Sequence, residues 1–327
     1  MKDRSISFVR LVSFFLITSC HFLQYFDNWL AWWLNVGVQV FLFMSGYLYG
    51  KREITSDILF YKKQLRKILI PYYIVVVVFI IVELLVCPEV IKESSIIRVL
   101  LCAETFPGGE HLWFIPTILM CYLLTPFLQR YLIYTQKHFT LACLGIVFMS
   151  WAFFKYFCTF FCKEWMICYI IGYCVGFSEE KNMQTHARKM IIIISVLTLQ
   201  NLVQLWYEQV MHTTILGNYY VDWYRWNHVW LGSALFFLFR KIYSLLRLEK
   251  LAWFQSILDI SDKYSYEGYL VHSFFILGPL SLIGRIHSFS LNIAMIFLMI
   301  GICAVLVKKL SISIQKRIAK KSVSTPQ

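Results

Sequence analysis

The feature that most constrains this chain is a succession of apolar runs about 20 residues long, the length a helix needs to cross about 30 Å of hydrocarbon. Residues 71–87, 141–154 and 291–307 are the plainest of them. Hydropathy marks ten such segments, near residues 7–26, 31–50, 68–87, 112–131, 139–157, 160–177, 190–206, 226–239, 264–283 and 289–307. Inside a bilayer each backbone N–H and C=O must be satisfied within the segment, so runs of this kind fold as helices. The expected class is all-α, a polytopic transmembrane bundle of about ten helices. Connections are short, and residues 1–327 read as a single membrane domain with no separate soluble domain.

Charge points the same way. Asp, Glu, Lys and Arg make up 15% of the residues, where a soluble domain spends about a quarter. A net charge of +13 raises the question of nucleic acid, and the placement of the basic residues answers it. With a cytoplasmic amino terminus, 24 of the 31 Lys and Arg residues fall in inside segments. That is the positive-inside bias of membrane insertion, so both termini are expected in the cytoplasm and no nucleic-acid partner is expected. Most of the ten cysteines lie inside apolar runs and no CxxC pair occurs, so they read as small hydrophobes. Cys87 and Cys102 share an outer loop and are the only pair placed for a disulfide. The first segment lacks a small-residue cleavage site and reads as a retained helix. Trp29, Trp32 and Trp33, and the cluster from Trp206 to Trp226, fit interfacial anchoring.

Ionisable groups within hydrocarbon are costly, which makes each a functional candidate. Arg10 and His21 lie eleven residues apart in the first segment, close to three turns, so they share a face about 16 Å apart along the axis. A guanidinium near the cytoplasmic end can hold a phosphate, and an imidazole further out can act as a general base. Snorkelling of Arg10 to the headgroups and a structural role for His21 are the plainer alternatives. After the second segment, Lys62, Lys63, Arg66 and Lys67 precede Pro71. Lys63 and Arg66, about one turn apart, are placed to grip the phosphates of a nucleotide-like donor, unless they are simply inside charge. The ninth segment carries Tyr269 and His272 on one face, adding a second imidazole near mid-membrane. At the start of the fourth segment, Glu110, His111 and Trp113 follow a Gly108-Gly109 turn. They form either a cap or a rim that receives a sugar, on whose face Trp stacks.

These residues fall in segments that resemble the integral membrane acyltransferases called acyltransferase-3, which include polysaccharide O-acetyltransferases. The likeness lies in SISFVRLVSFFLITSCHF, NVGVQVFLFMSGYLYGKR, KKQLRKILIPYY, EHLWFIPTILMCYLLTPFL and KYSYEGYLVHSFF, five segments in order along nearly the whole chain. The resemblance implies that Arg10 and His21 are the essential first-helix pair. It also implies acetyl-CoA, or another acyl-CoA, as a donor entering from the cytoplasm. Lys63 and Arg66 match the family's Arg-x-x-Arg site, with Lys in place of the first Arg, which keeps the charge and loses a planar bidentate donor. Many relatives carry a soluble esterase-like domain that this chain is expected to lack.

The resulting expectation is a multi-pass enzyme of a cell membrane, the cytoplasmic membrane of a bacterium. Lys63, Arg66 and Arg10 would hold the acyl-CoA. His21, with His272, would serve transfer to a hydroxyl of a polysaccharide or lipid-linked glycan, directly or through an acyl-histidine. Glu110, His111, Trp113 and Tyr269 would bind the acceptor, and no metal is expected. A transporter or flippase for a lipid-linked sugar is the alternative, since intramembrane charges also line substrate paths.

Overall fold

A computed structural model describes residues 3–90, 93–157, 163–211 and 220–323. Among them there is no strand, and the helices are α1 (Arg4–Tyr25), α2 (Ala31–Leu34), α3 (Gly37–Gly50), α4 (Asp57–Val86), α5 (Glu93–Leu100), α6 (Phe114–Tyr134), α7 (Phe139–Phe157), α8 (Lys163–Glu180), α9 (Gln184–Met211), α10 (Tyr220–Leu245), α11 (Ala252–His272) and α12 (Phe289–Val323). Among the described residues, five helical segments are long and apolar enough to cross a membrane: Arg4–Tyr25, Ala31–Gly50, Asp57–Val86, Glu110–Tyr134 and Phe289–Lys320. The expected boundary between the fifth and sixth spans lies outside the described residues, as do most side chains of the aromatic cluster from Trp206 to Trp226. Cys87 and Cys102 are free thiols.

Two departures from the hydropathy pattern have local causes. α4 begins eleven residues before the apolar run at residue 68, where the Ser56 side chain accepts from the Leu59 N–H and Asp57 occupies the first turn. Both features complement the exposed N–H groups of a helix start. The expected continuous span 264–283 stops as an α-helix at His272 and continues as a 3-10 turn, Ser273–Phe275, into irregular chain. Gly278 and Pro279 cannot propagate the helix, and Gly278 has φ +78°.

The chain forms two compact units, each assembled from separated stretches. The first comprises Met1–Ile17, Trp32–Thr55 and Met120–Leu258; the second comprises Thr18–Ala31, Ser56–Leu119 and Asp259–Gln327. In the first, α3 and α8 pack backbone against backbone. A Cβ on Gly46 would fall 2.0 Å from the Tyr169 carbonyl oxygen, and one on Gly176 would fall 2.1 Å from that of Tyr47. Gly46 and Gly50, like Gly172 and Gly176, are four apart and line one face. This is the small-residue seam by which helices approach where hydrophobicity alone gives no drive to associate. The cluster beside it is polar: the Tyr47 hydroxyl donates to Glu179 at 2.6 Å, Lys51 pairs with Glu179 at 2.8 Å, and Arg240 reaches Tyr47 and Asp3.

In the second unit α4 packs on α12. The Tyr266 hydroxyl of α11 donates to the Ile68 carbonyl of α4 at 2.9 Å, beside Pro71, whose ring displaces a backbone hydrogen bond in the helix interior. Glu267, almost wholly buried, pairs with Lys308 of α12 at 2.9 Å. These bonds hold the end of α11 that carries Tyr269 and His272.

Candidate functional site

The second unit gathers three imidazoles from three distant parts of the sequence. His21 lies one turn before the end of α1, His111 in the 3-10 turn Glu110–Trp113, and His272 at the last residue of α11. Ring centroids are 5.0 Å apart for His21 and His272, 5.0 Å for His111 and His272, and 6.3 Å for His21 and His111. His272 is fully buried, His111 is 2% exposed, and His21 is half-buried.

Each ring is oriented by a bond that names its tautomer, because a carbonyl or amide oxygen only accepts. His272 Nδ1 donates to the Tyr269 carbonyl at 2.6 Å, His111 Nε2 to the Leu270 carbonyl at 3.0 Å, and His21 Nδ1 to Gln24 Oε1 at 2.7 Å. The two carbonyls belong to the last turn of α11, where C=O groups have no intrahelical partner and take side-chain donors instead. The basic nitrogens are then Nε2 of His21, Nε2 of His272 and Nδ1 of His111. Fixing the tautomer through a second hydrogen bond is how imidazoles are prepared for proton transfer.

Tyr269 ties the parts together. Its hydroxyl donates to the His111 carbonyl at 2.6 Å while His111 donates back into α11, so turn and helix are stitched by two reciprocal bonds. A close crossing fixes the same register: Gly108 and Gly278 both have φ +78°, and a Cβ on Gly278 would meet the Gly108 Cα at 2.4 Å. No other residue type satisfies both the backbone angle and the contact. An aromatic wall closes the side. Phe274 stacks on Phe79 of α4 at 3.9 Å and on Phe106 at 5.3 Å, and meets His111 edge-on at 5.5 Å.

His21, His111, His272 and Tyr269 are thus brought together. Glu110 is exposed beside His111, and Trp113 is half-buried in the same turn. Lys63 and Arg66 are exposed in the second and third turns of α4, about 20–24 Å along that helix from Phe79. Arg10 is on α1 with His21 but belongs to the first unit. Among the described residues, no group of three His, Cys, Asp or Glu side chains is arranged to hold a metal ion.

Two residues did not stand out in the sequence: Gln24, the orienting partner of His21, and Glu83. Glu83 lies within the run 71–87 that reads as uniformly apolar, and is wholly buried on α4. A lone carboxylate in such a run is itself the signal, because it is costly there.

This fold and site define a helical membrane protein with a buried histidine cluster suited to proton transfer. The chain matches the family described as an acyltransferase domain over residues 3–308, and it belongs to that acyltransferase family. No curated protein and no solved structure matches it.

Proposed function

We propose that the protein is a membrane O-acyltransferase that moves an acyl group, most simply acetyl, from cytoplasmic acyl-CoA to a hydroxyl of a cell-surface or exported glycan. The observation that carries this reading is the histidine triangle with its assigned tautomers, in a chain of the acyltransferase family. His21 Nε2 takes the proton of the acceptor hydroxyl as its oxygen attacks the thioester carbonyl carbon. The C–S bond breaks, and the imidazolium returns the proton to the departing CoA thiolate. His272, 5.0 Å away, assists as a second base and holds the ring geometry. The exposed Lys63 and Arg66 on the cytoplasmic side hold the donor's phosphates. The glycan enters at Glu110 and Trp113. The ten apolar runs serve as ten crossings, with both termini inside, in a bacterial cytoplasmic membrane.

The test is acyl transfer in proteoliposomes holding radiolabelled acetyl-CoA inside and glycan outside. His21→Ala is expected to lower the rate by roughly 10²–10⁴, the contribution of a positioned general base. Undiminished transfer at equal protein abundance would refute the role of His21. Glycan movement without donor consumption would instead identify a flippase.

A further inference from the structure

We infer that Glu83, with Glu110, forms the subsite that grips the hydroxyl groups of a neutral sugar acceptor beside the histidine cluster. This rests on the acyl-transfer reading and names the acceptor class of the same site.

Glu83 has no exposed surface, and among the described residues neither of its carboxylate oxygens accepts a hydrogen bond. Buried carboxylates are ordinarily paired, because burying an unpaired one is among the most expensive things a fold can do. The second unit has another buried carboxylate, Glu267, and it is paired with Lys308 at 2.9 Å. Among the described residues, the charge that acts on Glu83 is that of Glu110, a like charge on the residue before His111. Among the described residues no donor compensates Glu83, and a bound ligand that donates hydrogen bonds would offset that cost.

Its position says where. One turn before Glu83 on α4, Phe79 stacks on Phe274, which meets His111 edge-on. Glu110 directly precedes His111. Glu83 therefore sits a helical turn from the wall of the histidine cluster, toward the outer end of α4. Across the Phe79–Phe274 wall, a second buried group lacks a partner among the described residues: Nδ1 of His111, on a residue 2% exposed.

Two acceptors without donors, a carboxylate and an imidazole nitrogen, are complementary to a ligand rich in O–H groups. Hydroxyl-to-carboxylate bonds are short and about twice as strong as neutral ones. A sugar presents adjacent hydroxyls, and the half-buried Trp113 in the same turn offers a face for its ring. Two carboxylates at one subsite disfavour a uronate or phosphorylated sugar by repulsion.

The test uses the full chain in nanodiscs with acetyl-CoA and two acceptors, methyl glucoside and methyl glucuronide. The wild type is expected to favour the glucoside over the glucuronide by about tenfold or more, the scale of one charge-assisted bond. Glu83→Leu is expected to raise the glucoside KM at least about tenfold while the donor KM moves by less than about twofold, and Glu83→Gln, whose oxygen still accepts, to raise it less. Removing an uncompensated buried charge is also expected to leave Tm at or above the wild-type value. An unchanged glucoside KM in Glu83→Leu, preference for the glucuronide, or a lowered Tm with both KM values raised would overturn the subsite. If Glu83→Leu does not fold, the Glu83→Gln values decide. If the wild type acylates neither acceptor, saturation-transfer NMR of methyl glucoside separates the two ideas. Binding lost in Glu83→Leu supports the subsite and counts against acyl transfer alone; absence of binding to the wild type overturns the subsite.

Discussion

At the scale of single residues, the site depends on bonds that fix which imidazole nitrogen is basic. The bond from His21 Nδ1 to Gln24 leaves Nε2 as the proton acceptor, so Gln24→Leu is expected to lower kcat about tenfold by releasing the tautomer, with little change in the donor KM. Steady-state kinetics with each substrate varied checks this. Tyr269→Phe removes one of the two bonds stitching α11 to the His111 turn, and thermal unfolding in detergent is expected to show a loss of about 1 kcal/mol. His21 was legible in the sequence because an imidazole in a helix of that hydropathy is conspicuous. His111 and His272 were visible separately, one as part of a rim and one as a second imidazole. Their meeting was not legible, because it depends on the Gly108–Gly278 crossing, 170 residues apart in the chain. Glu83 was lost for a different reason: one carboxylate hardly alters the average of a long apolar window.

At the scale of elements, the all-helical class was legible, and of the ten apolar runs marked by hydropathy the described residues show five helical segments long and apolar enough to cross a membrane; the breaks were less legible. α11 ends at His272 inside an apolar stretch and passes into the buried 3-10 turn Ser273–Phe275, ahead of Gly278 and Pro279, which cannot propagate a helix. The α3–α8 seam was readable in principle from GYLYG and GYCVG, whose glycines are spaced four apart. Gly46→Ala places a Cβ where the Tyr169 carbonyl oxygen already sits, so a destabilisation of about 1–3 kcal/mol or more is expected. Gly301→Ala on α12 meets nothing within 4 Å and is expected to be neutral or slightly stabilising, since Ala is the better helix former. Melting curves of the two variants side by side check the contrast. Gly278→Ala is expected to abolish transfer by separating His111 from His272, even where the protein is still made.

At the scale of the whole molecule, the division into two compact units was not legible. Each draws on three separated stretches, and α1, α6 and α11 each contribute to both, so no linker or composition shift marks a boundary. The charge pattern speaks instead to topology: with 24 of 31 basic residues in alternate loops, reporters fused to either terminus are expected to read cytoplasmic. The central claim, that a histidine cluster within this membrane protein transfers an acyl group to a glycan hydroxyl, is tested most directly by label appearing on external glycan from acetyl-CoA enclosed in proteoliposomes. The expected result is donor-dependent label with the wild type and a loss of roughly 10²-fold or more with His21→Ala. Equal labelling by wild type and His21→Ala would contradict it.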